Sequence, residues 1–442
     1  MNRIKYCALA LAALASTSLA ACGSDNDAAP AAGGTTATSA QDLTAITTEP
    51  VTLEVWGTFA EDTAPGAVGP AIADLDAAFN EQYPNITIEH KTFPYDTYIT
   101  PTVRTAITAQ KGPDIVQMWG GTVADDYRSG LLALDNYLAS DPTLADNLLL
   151  LESFVGPDGS IRAVPYTGYA STFAYNESVL GQAGLGPTDI PSTWDEFLTT
   201  CEVLSDAGVV PIAAGWKDGF LHNWYQAVFV SQLLEPSEFD QLTRLELPFT
   251  SEPFRASREY LLEMEDHRCF DENATALTIV ESLEQFSAGN AALFLWQGAP
   301  DPSWDGVVRP PVLPDSKVGA EVLDAGANLG FAITEWSDHP NEAWAYIDFL
   351  IGESGQTIMT NLVDAAPNYL GVVGGQADSE MAKEYLAMVN TQGNRTITFA
   401  IPPSVQALNE RLAVPLMDKS MSIDDLLERL EDERLKVVET RD

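Results

Sequence analysis

Between Val51 and Met118 the chain switches repeatedly between two hydrophobic periods, and this alternation narrows the possible folds more than any other feature. Val51-Thr-Leu-Glu-Val-Trp56 alternates at the strand period, and Pro70 to Tyr83 sets Ile72, Leu75 and Phe79 at helical spacing. Ile86-Thr-Ile-Glu-His90 reads as a second strand. Tyr95 to Lys111 reads as a second helix despite Pro101, and Asp114-Ile-Val-Gln-Met118 as a third strand after the Gly112-Pro113 break. Strands joined through helices pair in parallel with right-handed crossovers. Ligands of such sheets collect at the carboxyl ends of the strands, here the loops after Trp56 and Met118.

The pattern resumes further on. Gly156-Pro-Asp-Gly159 is a turn signal, with extended chain expected from Ile161 to Tyr175. Pro191-Ser-Thr-Trp-Asp-Glu-Phe197 opens a helix that carries Cys201 and Leu204 and ends near Gly208, followed by the strand Val209 to Ile212. Later elements are the helix Ile279 to Gly289, the strand Ala291 to Trp296, the strand Leu329 to Thr334, the helix Asn341 to Ile351 and a charged helical tail from Ile423 to Val438. From Val51 onward there are about 390 residues, more than one compact core usually holds, so two α/β lobes are expected.

The segment before Val51 has a different character. Arg3 and Lys5 form a basic leader, Ala8 to Ala15 an apolar run too short to span a bilayer, and small residues crowd Leu19-Ala20-Ala21-Cys22. This looks like a bacterial lipoprotein signal: residues 1–21 are removed and Cys22 becomes the acylated first residue. The alternative is an ordinary secretory peptide that leaves Cys22 free. Residues 22–50 are poor in large apolar side chains and read as a tether, with an average reach of roughly 30 Å. The net charge of -42 (22 basic against 64 acidic residues) makes nucleic acid and anionic lipid poor partners for the body. Beyond Cys7 and Cys22, only Cys201 and Cys269 remain. They form a bridge or are small buried hydrophobes; their spacing and lack of histidine neighbours argue against a metal site.

Phe79-Asn-Glu-Gln-Tyr-Pro84, Gly112-Pro-Asp-Ile-Val116, Ser129-Gly-Leu-Leu-Ala-Leu-Asp135 and Ala163-Val-Pro-Tyr166 with Ala174-Tyr-Asn176 follow one another in an informative order. Ala183-Gly-Leu185, Pro191 to Phe197, Phe286-Ser-Ala-Gly-Asn-Ala-Ala-Leu293, Asn341 to Phe349 and Ala366-Pro367 complete the set. The ordered set resembles the family-1 extracellular solute-binding proteins of ABC importers, the largely carbohydrate-binding group that includes maltose-binding protein. The resemblance implies an α/β, two-lobe periplasmic-binding-protein-like fold of type II, with discontinuous lobes joined by a hinge and a ligand cleft between them. The N-terminal lobe would take 51–165 plus 329–376 and the C-terminal lobe 166–328 plus 377–442. Closure on a bound solute by hinge motion is the expected action. The implied partners are a small-molecule sugar, the membrane permease and, through the lipid anchor, the extracytoplasmic face of the cell membrane. The resemblance implies a monomer that needs no cofactor and is no enzyme.

A sugar site needs flat aromatic platforms and planar or charged hydrogen-bonding groups. Trp56 with Thr58, and Trp119 with Gly120 and Gly121, end strands and would form the first lobe's wall; the alternative for both tryptophans is core packing. Tyr166 and Tyr169 fall on the stretch that resembles the first crossover. The loop Gly215 to Trp224 supplies Trp216, Lys217, Asp218, His222 and Trp224. Its competing reading has Asp218 capping a helix that starts near Phe220, with Trp224 in the core. Trp296 lies where sugar binders of the family commonly carry a stacking aromatic, and Asn328 on the small-residue loop before the return strand. The segment after Pro402-Pro403 offers Leu408 and Asn409 in place of the aromatic used by malto-oligosaccharide binders, so a long glucan is disfavoured. Two other readings stand beside the sugar: the same scaffold binding a polyamine, peptide or other small solute, and a secreted glycoside hydrolase using paired carboxylates.

Overall fold

The computed structural model describes Leu43 and residues 45–58, 69–94, 97–156, 158–301, 303–362 and 379–441. The expected leader, Cys22 and most of the tether lie outside these residues, as does 363–376 of the expected N-terminal lobe. The last part of the expected tether packs on the body. Leu43 and Ile46 join a hydrophobic cluster, and the Thr47 N–H donates to Glu342 at 2.8 Å. They are large apolar residues in an otherwise small and polar stretch, so burying them is favourable.

Among the described residues eight strands form one sheet: β1 (Val51–Gly57), β2 (Ile86–Thr92), β3 (Ile115–Trp119), β4 (Val164–Tyr175), β5 (Val210–Ala213), β6 (Ala291–Gln297), β7 (Gly306–Val308) and β8 (Ala325–Ile333). Their order is β2-β1-β3-β8-β4-β6-β5, with β7 beside β4. β1 pairs in parallel with both β2 and β3, as the alternating pattern requires. The return strand β8 runs antiparallel to β3.

Two strands carry the chain across the middle of the sheet. The first half of β4, Val164 to Ala170, pairs with β8; the second half, Ser171 to Tyr175, pairs with β6. The register of β4 shifts between Pro165 and Gly168, where the pairing with β8 is irregular. Nearly all of β4 is buried on both faces, which explains why its sequence shows no polar alternation. On one side of this junction, Leu53, Val55, Leu75, Phe79, Ile115 and the helix Pro340–Ile351 share a core. On the other, the helices Trp194–Asp206 and Phe220–Leu233 pack on β5 and β6 in a second core.

Two expectations need adjustment. The segment expected as a helix from Tyr95 to Lys111 begins as a wide turn, Tyr98–Val103, and becomes regular only over Arg104–Ala109. Pro101 has no N–H to continue the α ladder, which accounts for the irregular start. The return strand starts at Ala325, four residues before the expected Leu329, because its first residues are held by pairing with β4 and not by apolar periodicity. Cys201 and Cys269 are bonded to each other, with Cα atoms 4.8 Å apart.

Candidate functional site

The carboxyl ends of β1 and β3 meet through Gln117. Its Oε1 accepts from both the N–H and the hydroxyl of Thr58, at 2.9 and 3.0 Å. Trp56 lies against Phe93, with ring centroids 5.0 Å apart, and its indole N–H donates to Glu54. Trp119 is almost fully buried beside Tyr98, whose hydroxyl lies 2.8 Å from the carbonyls of Trp56 and Gln117. Gly120 and Gly121 do permit close backbone approach, but the approaching chain is the protein's own. Gly121 has φ +62°, and a Cβ there would fall 2.4 Å from the Phe399 carbonyl oxygen. The Thr122 hydroxyl donates to that same oxygen at 3.0 Å.

Several predicted contact residues are packed instead. Tyr166 has no exposed surface and rests on Phe331 at 5.0 Å between centroids. Trp216 is buried against Tyr225 and Phe270. His222 is buried with Nδ1 3.2 Å from the Asn409 carbonyl, and burial, then the nearby Arg258 charge, hold its pKa well below the usual range, so the ring is neutral and Nδ1–H donates. Tyr166 lies on β4 and His222 on the Phe220–Leu233 helix, whereas Trp216 sits in the connection between β5 and that helix. Lys217 is exposed. Asp218 is half-buried and caps a helix, though not the expected one. Its Oδ2 accepts from the Ile279 N–H at 2.9 Å, at the start of the Ile279–Ser287 helix. Asn328 lies on β8, and its side chain falls outside what is described.

Two groups of side chains do come together at the junction. In the first, Trp224 meets Trp296 edge-on at 5.7 Å and Trp296 meets Trp304 edge-on at 5.9 Å. Trp224 is half-buried, and the Trp296 indole donates to the Ala299 carbonyl at 2.8 Å. Three indoles at right angles make a rigid aromatic corner.

The second group centres on Asp324, only 1% exposed. Its Oδ1 accepts from the Tyr169 hydroxyl at 3.1 Å and from the Ile397 and Thr398 N–H groups at 2.8 and 3.2 Å. Its Oδ2 accepts from Ser171 at 2.9 Å, Thr398 at 3.0 Å and Gln297 Nε2 at 2.9 Å. Burial pushes the Asp324 carboxyl above its ordinary range, and the hydrogen bonds from Thr398, Ser171 and Tyr169 work against that shift. Tyr169 also sets its ring edge-on to Phe399 at 5.4 Å. Asp324, Thr398, Phe399 and Trp304 are absent from the sequence-based set. Only Gln297 carried a local signal, as the neighbour of Trp296.

Residues 62–357 match the family of bacterial extracellular solute-binding proteins. The chain belongs to that family. This solute-binding protein is 30% identical over 196 residues to an uncharacterized ABC transporter extracellular-binding protein of Pyrococcus horikoshii. That alignment covers 42% of this chain and 43% of the relative, less than half the length of either. Among solved structures, a chitin oligosaccharide binding protein is similar with a TM-score of 0.75 at 20% identity, covering 88% of this chain and 98% of that one. Maltose-bound T. maritima MalE3 is similar with a TM-score of 0.66 at 18% identity, covering 88% of this chain and all of that one. The solute-binding protein therefore has the α/β, two-lobe architecture of periplasmic-binding-protein-like receptors, as the ordered segments implied.

Proposed function

We propose that this protein captures a neutral mono- or oligosaccharide in a cleft between its lobes and delivers it to the membrane permease of an ABC importer. The observations that carry the sugar are the half-buried Trp224 on the aromatic corner with Trp296 and Trp304, and the polar group of Gln297, Asp324 and Thr398 at the end of the strand that carries Trp296. Sugar faces stack on indoles while ring hydroxyls need donors and acceptors shielded from water. The sugar receptors named above support this reading through shared architecture. In it the lobes are 51–165 with 329–376, and 166–328 with 377–442. β4, β8 and the 395–400 segment form the passages between them, and Cys22 carries the lipid that keeps a monomeric body beside its permease on the outer face of the membrane. The chemistry of the reading is binding and release, with no bond broken.

The test is a thermal-shift screen of the protein against neutral sugars, polyols, polyamines, amino acids and peptides, with every hit checked for breakdown products. A ligand at a hundred times its dissociation constant adds about 2.7 kcal/mol of stability. An intact sugar that shifts the transition, with the shift reduced in Trp224→Ala, supports the reading. A polyamine or peptide hit moves the substrate class, and product formation replaces transport with hydrolysis.

A further inference from the structure

Gln297 ends β6, one residue after Trp296 and opposite Ser171 of β4, and is half-buried. Its amide is held at one end only. Nε2 lies 2.9 Å from Asp324 Oδ2, 2.8 Å from Thr398 Oγ1 and 3.2 Å from Ser171 Oγ. No described residue donates to Oε1, which is not among the buried polar atoms lacking a partner and so lies open. Which end of an amide faces a neighbour follows from what the neighbour can do. An ionised carboxylate only accepts, so it demands the NH2 end. The Asp324 carboxylate cannot turn to suit Gln297, because the two backbone N–H groups of Ile397 and Thr398 fix its other oxygen.

We propose that Asp324 is a positioning residue for solute recognition: it fixes the Gln297 amide with Nε2 inward and Oε1 outward, so that the cleft presents a hydrogen-bond acceptor to a solute hydroxyl. The solute half of this statement rests on the sugar-binding reading above; the amide half does not. Asp324→Asn keeps the shape and reverses the demand. The Ile397 and Thr398 N–H groups retain Oδ1 of the new amide, its NH2 faces Gln297, and Gln297 turns over to offer Oε1 inward and its NH2 outward. Pairing Asp324→Asn with Gln297→Glu restores an outward acceptor oxygen at unchanged total charge. Gln297→Glu alone sets one carboxylate against another.

The amide half is read without any solute. In the full-length protein labelled with 15N-glutamine, the Gln297 side-chain NH2 signals, identified by their loss in Gln297→Glu, exchange with solvent more slowly than those of exposed glutamines. They speed up at least tenfold in Asp324→Asn. Fast exchange in the unaltered protein, or equal rates in both proteins, overturns the proposal. The unaltered protein alone decides this if the variant does not fold. The solute half is read by calorimetric titration with maltose and with chitobiose. Either single substitution weakens binding about tenfold or more, and the double substitution returns it to within about threefold. Single variants that bind normally, or a double variant no better than the singles, overturn the recognition role while the sugar reading stands. If neither sugar, nor any hit of the screen, binds the unaltered protein, the sugar reading and the recognition role fail together, and the exchange rates still decide the orientation of the amide.

Discussion

Asp324 and Arg258 both sit out of solvent, at 1% and 0% exposure, yet their surroundings differ in kind. Asp324 receives six donors from three passages of the chain, so its charge is spread over many fixed dipoles. Arg258 lies between helices, and among the described residues its guanidinium donates only to neutral groups: the amide oxygens of Gln226 and Asn409 and the hydroxyl of Ser257. Its Nε has no partner among the described residues, and burial lowers its pKa to about 9. A buried charge can thus be held without an opposite charge, but the quality of its solvation sets what is lost when it goes. At Asp324 the donors are numerous and several are backbone. At Arg258 the acceptors are few and all belong to side chains, one of which, Asn409, also donates through Nδ2 to Asn223 Oδ1 at 2.6 Å.

Substitutions can break this contrast. Asp324→Leu strands backbone and side-chain donors away from water and is expected to cost about 3–5 kcal/mol in urea unfolding, as when one partner of a buried charged network is removed. A cost below about 1 kcal/mol would mean that water or a shift of the 397–398 segment replaces the carboxylate.

Glu410 is the intermediate case, a half-buried carboxylate with one side-chain donor among the described residues, Asn223 Nδ2 at 2.9 Å. Burial pushes its pKa up to about 7. Because the folded value exceeds the unfolded one, the protonated form favours the fold. That contribution is complete below about pH 4 and is lost as pH rises through about 7. Glu410→Gln is therefore expected to raise stability by on the order of 2 kcal/mol at pH 8 and to change little at pH 4, measured by urea titration at both values. An equal effect at both values would place the cause in packing and not in charge.

Asp218→Ala removes the acceptor of the Ile279 N–H and is expected to cost about 1 kcal/mol, since the Thr278 and Glu281 pair still caps the same helix. Arg258→Met should have the smallest effect, within about 1 kcal/mol in either direction, because an apolar side chain of similar length avoids burying a charge. If it proves as costly as Asp324→Leu, the distinction between well and poorly solvated buried charges fails.

The first sheet units were legible because their signals are local. Leu53, Val55, Ile72, Leu75 and Phe79 announce strand and helix within a few residues, and all are buried where that pattern puts them. The order of segments carried the rest of the architecture. The site was less legible, for a physical reason. A tryptophan after a strand looks alike whether it meets a solute or a helix, and Trp216 meets Tyr225 and Phe270. Tyr166 and Tyr169, three residues apart on one strand, have different neighbours, Phe331 for one and Asp324 for the other. Asp324 has its partners at separations of 27, 73, 74, 153 and 155 residues, so no spacing in the chain announces it.

The bond between Cys201 and Cys269 encloses the 67 residues between them in a covalent ring, one that contains β5, the Gly215 to Trp224 loop and the Phe220–Leu233 helix. In the chain-entropy view, a closure of this length narrows the unfolded ensemble by about 4 kcal/mol. The ring also changes what damage means. A single protease nick within it leaves both fragments attached, so the helix that carries Trp224 stays tied to the rest of the chain. For a protein working outside the cytoplasm, the same bond keeps a chain cut anywhere between the two cysteines in one covalent piece.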